Sequence, residues 1–308
     1  SATPVINNLF EAKALLEMVK GVSFEELETF SNIPNAIAMH EKLILYGIRY
    51  RPQYAQTIET EIKEIQGSDY LPQLARIRKG AILELERVLL DAKMETIIAS
   101  LKKGTLVYTH YLTGLVTPLR QAIEKAGFKV GVFTGEDKSG LKLFTAGKVD
   151  VLIGSAPVGT GVDGLQYVCN RMIVVSLPWT SAEYEQLIGR LYRQGSVFEK
   201  VEVVVPQVVL EHNGDIWSWD KMRMNRIQYK KTLADAAMDG VIPEGELSSP
   251  DTMFKRAREA LQAWITRIEQ DGVAIIERAQ LRVPLPKETA HIILRRFGDL
   301  SVMNGRFN

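Results

Sequence analysis

Between Gly104 and about residue 210 the chain alternates short, nearly all-apolar runs with amphipathic stretches of helical spacing. The apolar runs are "TLVYTH" (105–110), "FKVGVFT" (128–134), "VDVLIGS" (149–155), "NRMIVVSL" (170–177) and "EKVEVVVP" (199–206). Between them, 114–126, 137–146 and 181–193 carry helical patterns, and Gly127 closes the first. Strands that alternate with helices of this length build βαβ units, and so a parallel sheet. Strands apolar on both faces belong where helices cover both sides. The expected fold is therefore α/β, with helices on both faces of a parallel sheet.

The flanks read differently. Residues 9–20 are helical with Gly21 as C-cap, 35–46 are helical, and 47–54 form a short extended segment closed by Pro52. A long helix spans 80–101, with Ile82, Leu85, Val88, Leu89 and Ile97 on one side. After 210 the pattern is mainly helical, over 216–240 and 251–270, with a Pro/Gly/Ser-rich linker at 241–251. Three segments follow: 1–103, 104–210 and a helical extension, 211–308.

Composition narrows the function classes. Among 308 residues, 46% are hydrophobic and 24% charged, enough for a large core. Net charge is +1, so nucleic-acid binding must come from a local patch. "YKK" (229–231) and "FKRAR" (254–258) are the candidates in the helical tail, each read as little more than a solvated face. The one cysteine, Cys169, excludes an intrachain disulfide and a multi-cysteine zinc site, fits a reducing cytoplasm, and reads as a small buried apolar residue. No apolar run is long enough for a membrane span, so no membrane association is expected.

Three segments lie at or beyond the carboxyl ends of expected strands: "LVYTHY" (106–111), "GTGVDGLQ" (159–166) and "QLIGRLYRQG" (186–195). Open parallel sheets bind ligands there. With "SATPVINNLFE" at the start (Asn7 and Asn8 paired) and "LPWTSAEYEQLIGRLYRQGS" around the last segment, the chain resembles the C-terminal RecA-like lobe of superfamily 2 helicases. It is most similar to the Swi/Snf-type DNA translocases. The resemblance covers roughly 1–20 and 104–206, in motif order III, IV, V and VI. Ser196 and "GVDG" depart from the usual Swi/Snf pattern, which leaves the subfamily open.

The resemblance implies a RecA-like lobe and assigns roles. Arg190 and Arg193 would reach across a cleft as arginine fingers, since guanidinium forks two donors onto phosphate oxygens. Gln186 would position the same helix end, and Gly189 would let that helix approach its neighbour. Gly159, Gly161 and Asp163 would face nucleotide, Asp163 orienting the ribose or an arginine. Thr109, His110, Thr134, Gly135, Thr160 and Gln166 would face the nucleic-acid backbone. His110 by itself reads as a structural strand-end residue.

No G-x-x-x-x-G-K-[ST] loop and no Asp-Glu dipeptide occurs in the 308 residues. ATP and Mg²⁺ would then depend on an N-terminal lobe encoded upstream of Ser1, and this segment alone would hydrolyse nothing. Double-stranded DNA is the expected partner, with a fused or associated nuclease or methyltransferase as a further possibility by analogy. The alternative is a non-catalytic DNA-binding or scaffolding module within a larger defence or restriction-modification protein. A nucleotide-sugar enzyme would need a pocket acid and base that the sequence does not offer.

Overall fold

The computed structural model describes residues 8–48, 54–70, 73–74, 82–212 and 215–242. The "SATP" start with Asn7, most of the 241–251 linker, the 251–270 pattern and the 254–258 basic cluster lie outside these residues.

The core is a seven-stranded sheet. Its strands are β1 (Thr57–Gln66), β2 (Thr105–Tyr108), β3 (Val130–Phe133), β4 (Val151–Gly154), β5 (Arg171–Val174), β6 (Lys200–His212) and β7 (Asp215–Trp217). The order is β1-β6-β5-β2-β4-β3, all parallel, and β7 adds antiparallel to the far end of β6.

The helices are α1 (Leu9–Lys20), α2 (Ile33–Tyr46), α3 (Ile82–Ala99), α4 (Val116–Lys125), α5 (Ser139–Thr145), α6 (Ala156–Gly161), α7 (Ser181–Ile188) and α8 (Trp219–Asp239). Neighbouring residues of the central strands point to opposite faces. Val107, Ile153 and Ile173 face α3 and α4, burying against Leu90, Ile97, Leu119 and Ile123. Leu106, Leu152 and Met172 face the other way, against Phe144, Val158, Leu187, Met224 and Ile227. This is the two-sided cover expected from the apolar strands.

Helix α5 lies against β3 through two glycines. A Cβ on Gly140 would run into the Val132 backbone, and one on Gly131 would come within 3.0 Å of the Gly140 carbonyl. A third core joins the first two helices to α8. Leu9, Ala12, Leu16, Ala36 and Met39 of α1 and α2 bury against Leu233, Ala236 and Ala237 of α8.

Several boundaries differ from the sequence reading. Strand β1 was not expected. It pairs with β6 from Thr57↔Lys200 to Gln66↔Val209, so the sheet begins at Thr57 rather than at residue 104. It is an edge strand with Glu59, Glu61, Lys63 and Glu64 among its ten residues, and its exposure hides the apolar pattern of a buried strand. Strand β6 does not stop at Pro206. Pro206 has no N–H, yet its neighbours carry the ladder on to His212. The 216–240 helix begins only at Trp219, capped by the Ser218 hydroxyl accepting from the Lys221 N–H, and Trp217 belongs to β7. The 181–193 helix ends at Ile188.

Candidate nucleotide-facing site

Helix α7 starts on a capping box. Thr180 Oγ1 accepts from the Glu183 N–H, while Glu183 Oε2 accepts from the Thr180 N–H. At its other end Gly189 keeps helical dihedrals, and the chain then tightens into turns. The Arg193 N–H, which a continuing helix would send back to residue 189, donates instead to Gln56 Oε1 at 3.0 Å. Gln56 also donates to the Phe198 carbonyl at 3.0 Å, and Tyr54 meets Tyr192 edge-on at 5.1 Å. The stretch just before β1 therefore holds the arginine turn. A Cβ on Gly189 would meet only the Glu185 and Gln186 carbonyls of its own turn, so close approach to another helix is not what this glycine provides.

Arg190 and Arg193 both reach the 159–166 segment, but in different ways. Arg190 Nε donates to the Gly159 carbonyl at 3.1 Å and Nη1 to the Val162 carbonyl at 2.8 Å, and Nη2 also reaches Gly159. Its fork closes on backbone. Arg193 Nη1 pairs with Asp163 Oδ1 at 3.0 Å, with side chains 41% and 75% exposed, so this pair faces solvent. Gln166 Nε2 donates to the same Asp163 oxygen at 3.3 Å, and Gln166 Oε1 accepts the Gly164 N–H at 3.0 Å. The Gln166 amide, then the Gly164 N–H and Arg193, holds the Asp163 carboxyl below its usual range.

The 159–166 stretch is not the open loop expected from its glycines. Gly159 and Gly161 belong to helix α6, and Gly164 alone of the three takes a left-handed φ, 91°. A Cβ on Gly159 or Gly161 would meet no neighbouring atom, but only Gly161 is exposed; Gly159 is buried, with its carbonyl taken by Arg190.

The expected nucleic-acid residues divide. Thr160 and Gly135 are exposed. Thr109 is fully buried, donating to the Tyr111 carbonyl at 2.9 Å and lying 3.1 Å from Ser176 Oγ. Thr134 Oγ1 accepts the Glu136 and Asp137 N–H groups, and Gln166 is buried in the turn it shapes. The side chains of these three are engaged in local hydrogen bonds. His110 gives its N–H to Ser176 Oγ at 2.7 Å and stands edge-on to Tyr111 at 5.0 Å. Burial, helped by the Arg223 charge, pulls its imidazole below the usual range, which keeps it neutral at pH 7. Gln186 is exposed on α7.

The "YKK" cluster is no free basic patch. Tyr229 is buried and donates to the Ser31 carbonyl at 3.1 Å. Burial and Arg226 bring Lys230 down to about 8, and Lys231 pairs with Glu185 at 2.5 Å and Asp235 at 3.0 Å.

Sequence reasoning missed a buried polar network beneath this edge. Lys93 pairs with Asp220 at 2.6 Å and donates to the Val175 carbonyl at 2.8 Å, and Asp220 Oδ2 accepts the Val208 N–H at 2.9 Å. Glu86 accepts from Trp219 Nε1 at 2.9 Å and from Arg223 at 3.3 Å. Arg223 also donates to Tyr111 Oη at 3.2 Å and to the Leu177 carbonyl, with its guanidinium 3.9 Å from the Trp179 ring centre. The only hint in the sequence is charge at core-facing positions of apolar helices.

Residues 90–195 match the family described as helicase conserved C-terminal domain. That stretch holds β2 to β5, the 159–166 segment and both arginines, while β1, β6 and β7 lie outside it. A relative is the uncharacterized ATP-dependent helicase YqhH of Bacillus subtilis (strain 168), 30% identical over 118 residues, 36% of this chain and 21% of that protein. The chain thus spans about a fifth of that relative's length. Similar solved structures include a DEAD box protein from the hyperthermophile Methanococcus jannaschii (TM-score 0.37, 20% identity, covering 65% of this chain and 46% of that one). Another is S. cerevisiae Dbp5 bound to RNA and ADP BeF3 (TM-score 0.38, 13% identity, covering 63% and 44%).

No described helix is long and apolar enough to cross a membrane. Among the described residues no three His, Cys, Asp or Glu side chains gather to hold a metal.

Proposed function

We propose that this chain is the C-terminal half of an ATP-dependent nucleic-acid motor, of Swi/Snf type and acting on duplex DNA. In this reading a preceding RecA-like lobe binds ATP and carries the residues that need Mg²⁺. The observation that carries it is the exposed Arg193–Asp163 pair, just past the end of α7 and beside the exposed backbone of Gly161. A guanidinium held at a rim by one exposed carboxylate can transfer to an incoming phosphate at small cost, because such pairs contribute little in water.

The two arginines then have separate tasks. Arg193 is the finger. It offers charge to the γ-phosphate as the bond to the leaving ADP breaks, a contribution worth about 10³–10⁵ in rate in related enzymes. Arg190 braces the 159–162 backbone that the finger and the nucleic acid share. Asp163 holds Arg193 at the rim, and Gln166 fixes Asp163. The Gly135 backbone, with the Thr160 hydroxyl, faces the phosphates, a contact that tracks the strand without reading sequence.

The test is ATP turnover by the two-lobed protein with duplex DNA, single-stranded DNA and RNA in parallel. Duplex-stimulated turnover that Arg193→Ala removes, with ATP binding retained, supports the reading. Stimulation by RNA alone would sink the Swi/Snf assignment. Turnover unaffected by Arg193→Ala would sink the finger.

A scaffolding role within a larger defence or restriction-modification protein is the second reading. The closed fork of Arg190 on backbone carbonyls favours it, since that arginine serves structure without any nucleotide.

A further inference from the structure

Helix α8 touches α7 at two points. At the entry to α7, Arg223 donates to the Leu177 carbonyl and stacks on Trp179, one residue before the Thr180 cap. Along α7, Lys231 pairs with Glu185 at 2.5 Å. The two contacts are eight residues apart on α8, about 12 Å along its axis. Past Lys231, the same helix buries Leu233, Ala236 and Ala237 against α1 and α2, and His40 of α2 lies 3.2 Å from the Ala237 carbonyl. One rod of 21 residues therefore joins the N-terminal helix pair to the helix that ends at the arginines.

We propose that α8 is a positioning strut, with Arg223 and Lys231 as positioning residues that set where α7 delivers Arg190 and Arg193. The energetics separate the two contacts. Arg223 is buried with Glu86, so removing it costs folding. Lys231 and Glu185 are each 40% exposed, and an exposed pair adds little to stability. A pair of that kind, bridging two helices beside the site, restrains geometry more than it holds the fold. Its energetic neighbours are Asp235, which shares Lys231, and Lys230 with Arg226 on the adjoining turn.

The strut itself is independent of any reaction; its effect on turnover rests on the finger reading above. The experiment uses Glu185→Lys, Lys231→Glu and the charge-swapped double variant. Amide hydrogen exchange of the 308-residue chain is followed over 181–195, with α4 on the opposite face as control. Each single variant is expected to speed exchange over 181–195 about threefold while α4 stays unchanged, and the double variant to return within about 1.5-fold of the wild type. In the two-lobed protein each single variant is expected to lower kcat about tenfold at unchanged KM for ATP, with recovery in the double, since small displacements of catalytic groups cost this much or more. Unchanged exchange in the singles, an equal rise in α4, or no recovery in the double overturns the strut. If the wild type shows no nucleic-acid-stimulated turnover, the motor reading fails and the exchange result alone decides the strut. If exchange behaves as expected but kcat does not move, the arginines do not take their position from α8, and the proposal fails at that step.

Discussion

Arg193 Nη1 and Asp163 Oδ1 lie 3.0 Å apart at the solvent-facing edge of the sheet, while Arg190, three residues earlier, is folded back onto the Gly159 and Val162 carbonyls. Two arginines that look equivalent in sequence thus stand in opposite states. One is committed to the protein, the other to an exposed partner it can leave.

The difference predicts opposite phenotypes. Arg190→Ala should lower stability by about 2 kcal/mol, because charged donors to backbone carbonyls are lost together. Arg193→Ala should leave thermal stability nearly unchanged and, in the two-lobed protein, reduce turnover about 10³-fold. Melting curves beside steady-state kinetics decide. Equal loss of stability in both variants would remove the distinction.

The network under α8 should be intolerant of half-removal. Arg223→Ala leaves Glu86 buried without its cation and should cost about 3–5 kcal/mol in urea unfolding. The joint change Glu86→Gln with Arg223→Met should cost less than Arg223→Ala alone, since no charge is then stranded. If the double variant is the weaker, the pair contributes more than its desolvation costs.

Gly140→Ala should destabilise by about 1–3 kcal/mol although alanine favours helix, because the new methyl meets the Val132 backbone and α5 must lift from β3. Gly147→Ala, at the C-terminal end of the same helix, has open space around it and a φ of 68°, so its cost should come from backbone strain alone and be smaller. The midpoints of chemical unfolding rank the two.

Cys169 should resist alkylation in the native chain at pH 8 and react once the chain unfolds. Burial raises its thiol from an ordinary value of 9.0 to about 12. Folding therefore favours the protonated thiol. This group's contribution to stability is full below pH 9 and declines as pH climbs from 9 toward 12. Rapid labelling at pH 8 under native conditions would contradict that burial.

Much of this was legible in the chain. Strands apolar at every position, as in 151–154, have to be covered on both sides, and that alone forces a parallel sheet between helices. The helix over 9–20 with Gly21 at its end was readable because periodicity and a left-handed cap coincide. The glycines and arginines of 159–166 and 186–195 marked the site. The sequence could not separate Arg190 from Arg193, since the partners that do so, Gly159, Val162 and Asp163, are about 30 residues away. Nor could it show that the helix stops at Ile188, because the competing acceptor, Gln56, lies 137 residues away in sequence. Strand β1 escaped because an edge strand needs no apolar face, and its identity comes from the β6 backbone beside it. The charges of Glu86, Lys93, Asp220 and Arg223 read as surface until the fold brought them together. Local pattern fixes what a segment can be; only tertiary contact decides which polar groups satisfy one another, because those pairings span more than a hundred residues.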